Sequence, residues 1–142
     1  MSLTVDVDLS GLQVFRSRVE ALRVSLPHIM DEAADFARRV MHDYAPKRTG
    51  RLAESIVVQA PSELERAVGP TVEYASYVEY GRGWVYPVHA RALRIPLESG
   101  EAIFRKSARP AAGRHFVDKT MFELRDALPQ IAEKVLKEAV EK

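Results

Sequence analysis

The chain has 142 residues, no cysteine, 46% hydrophobic and 29% charged residues, and a formal net charge of +1. These values suit one globular domain over residues 1–142 with a core of its own, and they exclude a disulfide framework, a thiolate metal site and a fibrous or disordered chain. Basic excess is confined to residues 82–117, with 7 bases against 2 acids, whereas a protein that coats nucleic acid carries a far larger overall surplus.

At the start, Leu3 to Leu9 alternates apolar and polar residues, the period of a half-buried strand. Met1 to Asp6 carries an acid where a signal peptide needs bases, and no window approaches 18 apolar residues, so a soluble, membrane-free, unsecreted protein is expected. Ser10 is a candidate N-cap, and Leu12, Phe15, Val19, Leu22 and Leu26 recur at helical spacing. Beyond Pro27 the stripe continues through Ile29, Ala33, Phe36, Ala37, Val40, Met41 and Tyr44. The spacing predicts two abutting helices or one long kinked helix over 10–44.

Pro46 closes that segment by driving Ala45 toward extended geometry. Thr49 is a candidate cap for a single turn that places Leu52 and Ile56 on one side. Ser55 to Ala60 is rich in β-branched residues, Pro61-Ser62-Glu63 supplies a turn, and Arg66 to Val68 returns before Gly69-Pro70, which predicts a hairpin. Tyr74, Tyr77, Val78 and Gly81 have the spacing of a short helix, with Gly81 as the left-handed residue past its end.

Val85 to Val88 and Leu93 to Leu97 are expected as extended segments at sheet edges, because Pro87 and Pro96 donate no ladder hydrogen bond. Glu98 to Glu101 turns the chain into Ala102 to Lys106, and Arg109 to Arg114 has the look of a mobile loop. From Asp118, a candidate N-cap, apolar residues at Met121, Leu124, Leu128, Ile131, Ala132, Val135 and Ala139 predict a second long helix, kinked at Pro129. The fold class is therefore α+β: a helical segment over 10–44, a small antiparallel sheet with an inserted β-hairpin over 52–108, and a helical segment over 117–141.

Signals for chemistry are sparse. His28, His42, His89 and His115 lie far apart, with no partner at metal-ligand spacing, so no metal or other cofactor is expected. Arg48-Thr49-Gly50-Arg51 follows a helix instead of joining a strand to a helix, so it is not a phosphate cradle. Glu73 and Glu79 are six residues apart, out of register for one helix face, and are read as solvated or ion-paired acids. An enzyme is not expected. Tyr74, Tyr77, Tyr80, Trp84 and Tyr86, with Arg82, offer either a stacking platform for single-stranded nucleic acid or a protein contact rich in hot-spot residue types. Near-zero net charge favours protein.

Three elements carry a resemblance: Ala45-Pro46-Lys47-Arg48-Thr49-Gly50-Arg51-Leu52 through Ser55-Ile56, then Val68-Gly69-Pro70 with Tyr74-Ala75-Ser76-Tyr77-Val78-Glu79-Tyr80-Gly81, then Arg91 through Gly100 to His115-Phe116-Val117. Over residues 10–135 the chain resembles the tail-completion, or head-tail joining, family of long-tailed bacteriophages, also described as minor tail or neck proteins. It departs from the family pattern at Arg82-Gly83-Trp84 and at Pro110-Ala111-Ala112-Gly113.

The resemblance implies a cofactor-free structural subunit of the virion, made in the host bacterial cytoplasm. It implies a self-assembled ring, expected as a hexamer, that touches head-closure and tail-tube or terminator proteins, with passing contact to DNA. Contacts are expected at Arg48, Thr49, Gly50 and Arg51. The others fall at Tyr77, Glu79, Tyr80, Gly81, Arg82, Trp84 and Tyr86, and on the basic hairpin at Arg91, Arg94 and Arg105. A single-stranded nucleic-acid-binding module is the alternative.

Overall fold

The computed structural model describes residues 2–97 and 99–141. Leu3 to Leu9 is not a strand: these residues are exposed and pair with no neighbour, so alternation alone had no ladder to join. Helix α1 (Ser10–Tyr44) starts at Ser10 itself, with Leu9 in the cap position, and the Asp8 Oδ1 accepts the Ser10 N–H at 2.9 Å. Pro27 lies inside α1 without dividing it. The helix survives the missing donor because Ser25, Ile29, Ala33, Ala34, Ala37 and Met41 are buried on either side of it.

Ala45 ends α1 with ψ 131°, as the following proline requires. Gly50, at φ 77°, and not Thr49, occupies the cap position of the single turn α2 (Arg51–Glu54); the Thr49 hydroxyl only accepts the Arg51 N–H at 3.4 Å. Leu52 and Ile56 are both buried, with Ala53 beside them. Strands β1 (Ile56–Ser62) and β2 (Glu65–Pro70) form the expected antiparallel hairpin, in one register from Ile56 opposite Pro70 to Gln59 opposite Ala67, with an irregularity before Ser62 opposite Glu65; Pro61 and Ser62, expected in the turn, extend the strand. Arg66 fixes its tip. Its guanidinium donates to the carbonyls of Ser62, Glu63 and Glu65 and, at 2.7 Å, to Asp31 on α1.

Helix α3 (Ala75–Tyr80) is the short tyrosine helix, and Gly81 follows it at φ 86°, ψ 178°. The positive φ is as expected, but the ψ sends the chain into extended geometry, which glycine alone adopts readily there. Strand β3 (Gly81–Arg82) then opens the basic segment. Val85 makes one two-way bridge with Ala108 in place of an extended strand. Strands β4 (Leu93–Pro96) and β5 (Ala102–Arg105) form the second hairpin, and β6 (Ala111–Ala112) pairs with β3. Thus the expected mobile loop at 109–114 is tied by backbone hydrogen bonds. The turn residue Glu98 lies outside the described residues.

Helix α4 (Phe116–Glu141) runs through Pro129 and packs antiparallel along α1, with Lys119 over the Tyr44 ring and Val135 near Ser25. Among the described residues strands occur as three two-stranded ladders, so each strand is an edge; Pro96 ends β4 as expected, whereas Pro87 lies in no strand. The core gathers where α1 ends and α4 begins: Met41, Ala45, Leu52, Ala53, Ile56 and Phe116, bordered by Val68, Val72, Ala75, Val78 and Val117. Among the described residues, no helix is long and apolar enough to cross a membrane.

Candidate assembly surface

The Tyr-Val-Glu-Tyr-Gly segment and the run before α4 are built into one lock. Arg114 and His115 donate their backbone N–H groups to Val78 and Glu79 carbonyls at 2.7 and 3.2 Å. Glu79 is 4% exposed, and its two carboxylate oxygens accept the N–H groups of Val117 and Asp118 at 2.8 and 3.2 Å. It therefore caps α4 from a distant helix, where its charge also meets the positive end of the helix dipole. Asp118, the predicted cap, sits in the first turn instead. Two glycines permit the crossing. A Cβ on Gly81 would stand 2.6 Å from the Ala111 carbonyl oxygen, and one on Gly113 would stand 2.4 Å from that of Glu79.

His115, at φ 51°, places its Nδ1 3.5 Å from an Asp118 oxygen, so Glu79, His115 and Asp118 converge as the one group of three potential metal ligands among the described residues. Sequence spacing missed this convergence because the third member comes from α3. Each Glu79 oxygen already takes an amide proton, and the positive helix end disfavours a cation, so the trio serves the helix.

Around this lock the side chains point outward. Tyr77, Tyr80, Trp84 and Tyr86 are 55 to 75% exposed. Arg82 is partly buried, with its Nη1 enclosed and without a hydrogen-bond partner. Arg48 donates to the Pro96 carbonyl at 3.1 Å and so ties its loop to the hairpin β4–β5. Thr49 and Arg51 are exposed beside Gly50, and Arg91, Arg94 and Arg105 are exposed along the hairpin, with Phe104 between them. Of the sequence-predicted contact residues, Glu79 alone is fully turned inward.

Sequence reasoning missed a second exposed surface. Leu12, Phe15, Val19, Leu22 and Leu26, which recur at helical spacing, are exposed, as is Phe122 on α4. A small α+β subunit with a pinned scaffold and large uncovered apolar faces defines a component of an assembly. The model of the family described as Bacteriophage HK97-gp10, putative tail-component, matches residues 15–81, a little under half of the chain, and supports a structural phage tail protein. The match ends at Gly81, so it contains the Thr-Gly and tyrosine boxes and leaves the basic hairpin and α4 outside it. No curated protein and no solved structure matches the chain.

Proposed function

We propose that this protein is a structural subunit of the phage neck, which assembles as a ring, expected as a hexamer, at the head-tail junction and completes or joins the tail there. One observation carries this reading: the chain exposes 11448 Å² at 16.0 kDa, where a self-sufficient monomer of that mass exposes about 7,400 Å². The surplus of roughly 4,000 Å² matches the area that obligate subunits bury against their neighbours. Exposed Tyr77, Tyr80, Trp84, Tyr86 and the arginines of the hairpin supply contact chemistry for an acidic face on a neighbouring virion protein. The role needs no cofactor or catalytic group.

Deleting the gene from its phage tests the role. Unjoined heads and tails are expected, with infectivity restored by a plasmid copy; normal particles that lack the protein would overturn it. The same exposed rings favour single-stranded nucleic acid as a second reading. Fluorescence anisotropy with oligonucleotides at low salt decides: binding that weakens steeply with salt supports it, and a flat response removes it.

A further inference from the structure

The hairpin of β4 and β5 is a two-stranded ladder, an arrangement only marginally stable by itself in water. Its two outer edges are not equivalent. The Leu97 N–H donates to the Glu101 carbonyl at 2.7 Å, and in an antiparallel ladder hydrogen-bonded and non-bonded pairs alternate, so Ile95 with Ile103 and Leu93 with Arg105 are the other bonded pairs. The backbone groups of Arg94, Pro96, Ala102 and Phe104 therefore point outward. On β4, Pro96 has no N–H and its carbonyl already accepts from Arg48, so that edge is partly closed. On β5, Ala102 and Phe104 keep both donor and acceptor, and no other backbone group among the described residues meets them. Strand β5 is the open edge.

That edge selects its occupant. Leu93, Ile95 and Ile103 share one face of the hairpin, and Arg94 and Phe104 share the other, with Lys106 next in alternation. Arg91, Arg94, Arg105 and Lys106 are exposed and without an ion-pair partner among the described residues, and Glu101, at the tip, is the one described acid of the hairpin. A fitting strand alternates apolar residues with acids and carries no base.

Leu3-Thr4-Val5-Asp6-Val7-Asp8-Leu9 has that pattern. Leu3, Val5 and Val7 are 65 to 91% exposed, and the backbone of residues 3–8 pairs with nothing among the described residues. Asp8 accepts the Ser10 N–H, which leaves Asp6 as the uncommitted acid. The hairpin of the same copy is out of reach. Arg48, just past the end of α1, holds Pro96, whereas the segment leaves from Ser10 at the other end of the helix, about 50 Å away, and residues 3–9 extend about 24 Å at most. Segment and hairpin both lie outside the matched residues 15–81.

We propose that Leu3 to Val7 of one copy adds as a third strand to the β5 edge of the next copy. With Val5 and Val7 on the side of Ile103 the added strand widens the apolar face, and Asp6 falls on the side of Arg94 and Lys106. Each copy gives a segment at one surface and receives one at another, so the contact continues from copy to copy and closes as a ring. It deepens the ring reading above and rests on it.

Sedimentation velocity over a wide concentration range tests it with four samples: wild type, the double variant Val5→Asp with Val7→Asp, Phe104→Pro, and an equimolar mixture of the two variants. Phe104→Pro removes an outward N–H and leaves the bonds between β4 and β5 in place. Wild type should self-associate, and each variant should do so at least about 10-fold more weakly. The mixture should form 1:1 dimers and nothing larger, because one intact segment then meets one intact edge. All three substituted residues are exposed, so melting temperatures should match wild type; if Phe104→Pro melts early, Arg94→Glu with Lys106→Glu replaces it. A mixture that stays monomeric overturns the strand pairing. Association lost in Phe104→Pro but kept in the valine double variant means that another segment fills the edge, and overturns the donated strand. Association that persists in both variants overturns this contact and leaves the ring reading standing. A wild type that is monomeric throughout overturns the contact, while the gene deletion scores the virion role separately.

Discussion

Removing the Glu79 carboxylate tests the lock that holds α4. Glu79→Ala leaves the Val117 and Asp118 amides without their acceptors in a partly buried region beside the fully buried Phe116. An unsatisfied buried donor costs about 1–3 kcal/mol, and an N-cap removal about 0.5–2 kcal/mol. Since one of the two amides regains some solvation as the first turn frays, the expected loss is about 2–4 kcal/mol. Unfolding entropy near 60 °C is about 2.1 cal/mol/K per residue, or roughly 0.3 kcal/mol/K for 142 residues, so the melting temperature should fall by about 7–13 °C. Glu79→Gln keeps one acceptor oxygen and should lose about half as much. Circular dichroism at 222 nm against temperature measures both. A fall of less than about 3 °C for Glu79→Ala, equivalent to about 1 kcal/mol, would refute the claim that this side chain caps α4.

Gly81→Ala and Gly113→Ala each drive a Cβ into backbone and should cost more than about 2 kcal/mol, whereas Gly11→Ala, with nothing within 4 Å, should be neutral or stabilise by up to about 1 kcal/mol. Urea unfolding of the three variants separates them. Arg66→Ala should cost about 2–3 kcal/mol, because a guanidinium that is 10% exposed is lost from four acceptors; Asp31→Ala, on a carboxylate 62% exposed, should cost under about 1 kcal/mol. Tyr44 donates to Glu123, and that hydrogen bond raises the Tyr44 pKa above 10.0. The pair's contribution is present below the unfolded value and is lost as pH rises through the folded one. Tyrosinate absorbance should therefore show one tyrosine that titrates late and moves earlier in Glu123→Gln; an unchanged titration refutes the pairing.

Local signals along the chain determined much of this fold. Pro46 had to end α1 because the residue before it cannot stay helical, and Gly81 had to end α3 because few other residues accept its positive φ. The β-branched run at 56–58 and the turn after it sufficed for the first hairpin, and helical spacing sufficed for α1 and α4. The match to the phage tail-component model covers residues 15–81, a range that includes the Thr-Gly and tyrosine segments but not Arg91 to Val117.

Tertiary structure decided what each element touches. The alternation of Leu3 to Leu9 found no neighbouring strand, and Gly50 displaced Thr49 from the cap because backbone geometry there needs positive φ. Glu79 is a cap because the chain returns through Gly113, an approach 34 residues away that no local pattern encodes. Periodicity shows that Leu12 to Leu26 share a face with Ile29 to Met41, but not that α4 and the β1–β2 hairpin leave that face uncovered before Ile29. An apolar stripe states only that something must cover it. Whether this chain or a neighbouring one does so depends on the relative lengths and positions of elements brought together in three dimensions.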